Sequence, residues 1–250
     1  MFRKSILIGI LIAALLGAGC ATTPPYNPFK IGQEEFNRKT KTIALAPVFI
    51  PEGLEDPEPV KIKFESLIES RLREAGFLVI PSREYAEIWK RTTEQVGGYF
   101  DPVSGKRDET KFKTVQEYTY RELSTKFNMD SLLYSSILVF QVKWSGGKVH
   151  WHGTSEPIKS VGEQFLEGLV GISYHGTVPA ASLVATIRDI NGQDLYVNFG
   201  GIQLLAKTSG SKFFQVPRHQ LFSNEEQNSK AVSLALEPLI TKPGSTEKTK

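Results

Sequence analysis

Ile43-Ala44-Leu45-Ala46-Pro47-Val48 and, after a proline-rich loop, Phe64 to Ile80, closing on Leu72-Arg73-Glu74-Ala75-Gly76-Phe77-Leu78-Val79-Ile80, decide the fold. The first run is short, apolar and bounded by Pro47, which suits a strand buried on both faces, since proline cannot donate to a ladder. Phe64, Leu67, Ile68, Arg71, Leu72 and Ala75 repeat with helical spacing, and Gly76 stands where a helix usually ends on a left-handed residue. Phe77 to Ile80 then reads as a second buried strand. Strand, helix and strand in this order make a βαβ unit with parallel neighbours.

Working outward, the loop carrying Pro51, Gly53, Pro57 and Pro59 joins the first strand to its helix. On the far side, Ser82 is placed as the N-cap of a helix running to about Thr93 and stopped by Gly97 and Gly98. Asp101-Pro102-Val103-Ser104-Gly105-Lys106-Arg107-Asp108 is turn chemistry, without the alternating ligands and terminal Glu of a calcium loop. Phe112, Val115, Thr119, Leu123 and Phe127 lie on one helical face that Asn128 can close. Leu132 to Phe140 is a third, longer strand. Trp144-Ser145-Gly146-Gly147-Lys148 reads as a hairpin turn into a strand through His152. After a loop around 155–177 with room for a short helix bearing Phe165 and Leu169, Ala180 to Ile190 and Asp194 to Ala206 form a hairpin about Asn191-Gly192, with Gly200-Gly201 as a bulge. Ser223-Asn224-Glu225-Glu226 is a capping box opening a last helix that packs Val232, Ala235, Leu236 and Leu239. The expectation is one α/β domain over 41–240, three-layered, with a central mixed sheet flanked by helices plus a C-terminal hairpin and helix. Residues 241–250 form a polar, disordered tail.

The chain has 250 residues, enough for a core that needs no staples. Arg3 and Lys4 head the apolar run Ile6 to Leu16, too short to cross a bilayer and followed by Gly17, Ala18 and Gly19, the pattern of an export signal over residues 1–19. Cys20, the only cysteine, comes next. This resembles the lipobox of bacterial lipoproteins, with Gly17 in the place usual for Leu. The resemblance implies that Cys20 is lipidated as the first mature residue, and Ala21 after it is similar to outer-membrane cargo. Residues 20–40, with Pro24, Pro25 and Pro28, read as a lipidated, extended tether. Without the signal, 28 bases face 27 acids. That balance argues against nucleic acid as a partner, because its binders concentrate positive charge on a face.

The domain itself resembles the α/β domain shared by the curli-secretion lipoprotein, the lipoprotein activators of penicillin-binding proteins and related envelope lipoproteins of unknown role. The residues that carry this are Ile43 to Val48, Gly76-Phe77-Leu78-Val79, Phe127-Asn128-Met129-Asp130 before a long strand, and the hairpin Arg188 to Tyr196. They are core and turn residues, so the resemblance implies fold and an envelope location. The stretch Gly97 to Pro102 departs from the curli-channel pattern.

For chemistry, His150-Trp151-His152 is the most suggestive cluster, since residues two apart on a strand share a face. A zinc site there needs His175, His219 or a carboxylate such as Glu156 as a further ligand. The favoured alternative puts both histidines on a solvated face with Trp151 inward, and no metal or other cofactor. Asp108 and Glu109 read as solvated charge, and Ser209-Gly210-Ser211-Lys212 as a loop. Nucleophile elbow, His-Glu-x-x-His and phosphate-loop patterns do not occur. Tyr99, Phe100, Trp144 and Trp151, near glycine-rich turns, either anchor a partner or cover the core. The expectation is a non-enzymatic, lipid-anchored accessory or assembly factor of the Gram-negative envelope, facing the periplasm from the outer membrane. The alternatives are an oligomeric part of a secretion or export apparatus, and a cell-wall or lipid hydrolase. Envelope partner and oligomeric state stay open.

Overall fold

The computed structural model describes residues 26–51, 54, 57–145, 147–158, 175–209 and 212–240. The expected export signal, Cys20, Pro24, Pro25, the expected helix about Phe165 and Leu169, and the expected tail over 241–250 lie outside the described residues. In order the elements are α1 (Gln33–Lys39), β1 (Thr42–Leu45), α2 (Pro57–Glu74), β2 (Leu78–Ile80), α3 (Ser82–Val96), α4 (Glu109–Phe127), β3 (Ser131–Ser145), β4 (Lys148–Trp151), β5 (Thr154–Pro157), β6 (His175–Asp189), β7 (Asp194–Leu204), β8 (Ala206–Ser209), β9 (Lys212–Gln215) and α5 (Glu225–Leu236). The fold is α/β, with a mixed seven-stranded sheet between helices.

Two strands of fifteen residues form its spine, β3 and β6, antiparallel from Ser131 opposite Asp189 to Ser145 opposite His175. β7 pairs with the outer edge of β6. The other edge of β3 is shared: β1 lies parallel to its start, with β2 outside, and β4 leaves from its end. Asp130 ties β3 to β1, its carboxylate accepting the backbone N–H of Lys41 at 2.9 Å and of Thr42 at 2.8 Å.

Alternation along the spine divides the core in two. Leu133, Ile137, Leu183 and Ile187 meet Phe64, Ile68 and Leu72 of α2 and Val232, Ala235 and Leu236 of α5. On the other face Leu132 and Ala44 meet Tyr85, Ile88, Tyr120 and Leu123 of α3 and α4. Each fully buried Leu, Ile or Phe contributes roughly 1.5–3 kcal/mol. A third cluster fills the far end, where the β4–β5 hairpin leaves β3 and folds over β6, packing Val149 and Trp151 on Val178 and Ala180.

The left-handed stops expected at Gly76, Gly97 and Asn128 are present, at φ 94°, 78° and 54°. Several expectations are corrected. Residues 26–40 are not tether from Tyr26 onward: Phe29 bridges to Tyr196 beside β7, α1 follows, and Phe29 and Phe36 enter the core. Two aromatic anchors seven residues apart are too sparse to register as a period. Pro57 and Pro59 sit not in a loop but in the first turn of α2, where a missing N–H costs nothing. β2 is an edge strand with Leu78 exposed, not buried throughout. Ser82 is not the cap of α3, since its Oγ donates instead to Glu65, which also accepts the N–H of Val48. The β6–β7 turn is a four-residue loop in which the Asp189 carboxylate collects the N–H groups of Asn191 and Gln193. One of the two register shifts between β6 and β7 falls at Ile202, past Gly200-Gly201, and β7 ends at Leu204, with Ala206 opening β8. Asn224, not Ser223, caps α5, accepting the N–H of Gln227.

Candidate functional site

The even-numbered residues of β3 and β6 share one face, closed at one end by α3 and α4 and at the other by the β4–β5 hairpin. Between the two covers the face is only half-buried at Ser136, Leu138 and Phe140, at Val184 and Thr186, and at Val197 and Phe199 of β7. Half-buried apolar side chains on neighbouring strands make a surface suited to binding.

His152 lands on this surface. β4 ends at Trp151, so His152 is a turn residue at φ 41° and does not share the solvated face of His150. Its ring stacks on Phe199, centroids 4.8 Å apart and planes 22° apart, and meets Phe140 edge-on at 4.7 Å. Tyr26 extends the row, 6.1 Å from Phe199. The hairpin is held by bonds to the spine: Gly201 N–H donates to the His152 carbonyl at 3.0 Å, and Thr154 Oγ1 donates to the Gly201 carbonyl at 2.8 Å. Glycine is required there, because a Cβ on Gly201 falls 2.8 Å from Thr154 Cβ and 2.9 Å from Trp151 Nε1. Beside the row opens a cleft of about 630 Å³ lined by Tyr26, Pro28, His152, Asn198, Phe199 and Leu234.

Burial pushes the His152 imidazole below its ordinary value, so it is neutral at pH 7. Nδ1 lies 2.8 Å from Ser182 Oγ. Such a pair can belong to a nucleophilic site, but a nucleophile has to reach its substrate. Ser182 is fully buried, so the hydrogen bond orients the ring.

A second cleft, of about 620 Å³, lies between α4 and the β6–β7 loop, with Gln116, Tyr120, Arg121 and Ile190 in its walls. At its floor the hydroxyls of Tyr120 and Tyr134 are hydrogen-bonded, and the Gln116 amide donates to Tyr120 at 3.1 Å. Arg188 lies over the Tyr134 ring at 5.4 Å and donates to Asp194 at 2.6 Å. Burial raises the Tyr120 phenol, which stays protonated. The groups satisfy one another, and the network joins α4 to the sheet.

Other expected positions are dispersed. Trp144 and Trp151 are buried and cover the core. Tyr99 packs on Trp89 and Phe112, and Phe100 is exposed. Glu156 is buried, accepts from the Gln227 amide at 3.3 Å and is raised by that burial, while His219 sits in the short helical turn before α5. The His175 side chain lies outside the described residues. Among those described, no three His, Cys, Asp or Glu side chains gather as metal ligands. Asp108 caps α4 and Glu109 pairs with Arg107 at 2.8 Å. Asp101 accepts the N–H groups of Val103 and Ser104, which hold its carboxyl below the usual range. Ser209 and Lys212 face each other across β8 and β9. The aromatic row escaped sequence reasoning because its members come from four separate segments. The one available signal was Gly153 after His152, a glycine at φ 76° that turns the hairpin.

No family model and no curated protein matches the chain. Among solved structures it is similar to two PelC dodecamers from Paraburkholderia phytofirmans, one of a single-substitution variant, in different crystal forms. One match has 10% identity, TM-score 0.34, and covers 80% of this chain and 90% of that one. The other has 9% identity, TM-score 0.35, and covers 82% and 91%. The hypothetical protein CT253 from Chlamydia trachomatis matches at 14% identity and TM-score 0.32, covering 80% and 91%. Likenesses of this size carry no functional argument.

Proposed function

We propose that this protein is a lipid-anchored, periplasm-facing binding module of the Gram-negative outer membrane, an accessory or assembly factor that works without catalysis. The observation that carries the reading is the row Tyr26, Phe199, His152 and Phe140 on an open sheet face, at the edge where the chain from Cys20 enters the fold. Preformed aromatic surface binds at low entropic cost, and aromatic side chains dominate interface hot spots. The proposed acylation of Cys20 supplies the second part: two or more acyl chains hold stably to a bilayer, and a short linker raises the local concentration of the domain for envelope partners.

Site-directed photocrosslinking in cells tests this. A photoreactive phenylalanine at position 138 or 199 is expected to give the same discrete envelope-protein adduct from both positions. A probe at exposed Glu94, at the end of α3, is expected to give none. Absence of an adduct at 138 and 199, or the same adducts at 94, contradicts the reading.

A further inference from the structure

We infer that the far end of the long sheet, from the β3–β4 turn to the β8–β9 hairpin, lies against an anionic membrane surface, with Phe213 and Phe214 in the interfacial layer. This rests on the anchored reading above and adds which face of the domain meets the bilayer. β9 exposes two adjacent aromatic rings, Phe213 and Phe214, 57% and 48% accessible. Neighbours on a strand point to opposite sides, so both being exposed leaves the outer strand β9 open on both sides, while β8 behind it buries Ala206 and Thr208. The pair borders a cleft on Thr177 and Pro179 of β6, and Thr177 also borders the cleft of Lys143, Lys148 and His150. Aromatic hairpin and cationic turn are thus one continuous end of the molecule.

The described residues of the β3–β4 turn and of β8 carry charge of one sign. Lys143, Lys148 and Lys207 are exposed there, whereas Glu156 of the β4–β5 hairpin is buried, and the exposed Glu225 and Glu226 stand behind its partner Gln227 at the start of α5. The loop at the opposite end of the spine carries Asp189 and Asp194. Exposed lysines beside exposed aromatics match an anionic headgroup layer over hydrocarbon, the lysines drawn by the negative surface potential and the rings by the apolar boundary.

Chain geometry points the same way. Followed backward from Phe29 to Tyr26, the backbone runs along β7 from Tyr196 toward Phe199, which is toward this end. From Phe199 to Leu204 is about 17 Å at the strand rise. Cys20 precedes Tyr26 by six residues, which span at most about 20 Å. An acylated Cys20 therefore holds the domain within reach of the bilayer by this end and leaves the open sheet face free at the side.

Cys20 is the only cysteine, so acylation leaves no thiol to label in the purified full chain. The variants Phe214→Cys and, at the opposite end, Asn191→Cys then each offer one site for a nitroxide. The labelled chains are reconstituted into vesicles of phosphatidylethanolamine and phosphatidylglycerol. Position 214 is expected to be relaxed more by oxygen than by an aqueous nickel complex, with that ratio inverted at 191. Adding Lys143→Glu and Lys148→Glu should shift 214 toward the aqueous ratio. One label per chain with 214 as nickel-accessible as 191 overturns this inference and leaves the anchor standing. Two labels per chain show Cys20 unmodified and overturn both.

Discussion

Gly200 marks the closest approach of a helix to the sheet. A Cβ there falls 1.9 Å from the Ala231 carbonyl oxygen and 3.0 Å from the Ala235 backbone nitrogen, atoms that cannot step aside as a side-chain tip can. Gly200→Ala is expected to cost about 3 kcal/mol, seen as a lower urea midpoint at unchanged slope. A loss under about 0.5 kcal/mol, the range of ordinary surface substitutions, contradicts this packing. His152 gives a prediction in pH. Its folded value is depressed by burial while the unfolded chain titrates near 6.5. Between the two values the unfolded state binds more protons, so stability contributed by the neutral ring is present above the unfolded value and declines as pH falls toward the folded one. His152→Asn, a residue that tolerates positive φ, should flatten the decline in Tm on acidification below about pH 6.5. An unchanged slope assigns the decline to other groups. Burial of Glu156 acts with the opposite sign, because protonation favours its buried form as pH falls. Single residues with a strict backbone demand were legible in the chain: Gly76, Gly97 and Asn128 each close a helix in the left-handed region. Gly201 read as a bulge, since the side chains that crowd it, Thr154 and Trp151, lie far off in sequence.

Elements with a full apolar period match their expectation in kind, as with β1, α2 and α4, although α2 opens at Pro57, ahead of the apolar stripe that starts at Phe64. Elements whose inward positions alternate with polar ones were cut short. β3 was expected to stop at Phe140, yet Gln141-Val142-Lys143-Trp144-Ser145 continues it, with buried Trp144 pairing to Val149. The extension decides the architecture, because it carries the hairpin across the sheet and brings His152 to the aromatic row. The N-terminal segment departs from its expectation for a related reason: proline content suggests a tether, while a backbone bridge to β7 and two buried rings make residues from Tyr26 onward part of the fold. Lys30 N–H donates to the Leu195 carbonyl and Val197 N–H to the Pro28 carbonyl, both at 2.9 Å. Phe36 is fully buried against Phe29 and Tyr196. Phe36→Ala is therefore expected to lower unfolding free energy by about 3–5 kcal/mol in urea titration. A cost below about 1 kcal/mol would restore the reading of this stretch as a linker.

For the whole molecule, packing on both faces of one mixed sheet, with a third cluster at its far end, explains how the fold stands without a disulfide. Among the described residues no helix is long and apolar enough to cross a membrane. The proposed attachment is through Cys20. With the chain folded from Tyr26 onward, six residues, 20–25, separate the proposed anchor from the fold, against the tether over 20–40 that the sequence suggests. The candidate site was not legible because it is a property of the assembled sheet: Tyr26, Phe140, His152 and Phe199 carry no common spacing. The central claim is attachment by one sulfur atom, and metabolic labelling with a fatty-acid analogue followed by membrane fractionation addresses it directly. The account predicts label on the wild-type protein in the outer-membrane fraction, and for Cys20→Ala neither label nor membrane retention. An unlabelled wild type, together with Cys20→Ala still in the membrane fraction, would contradict it.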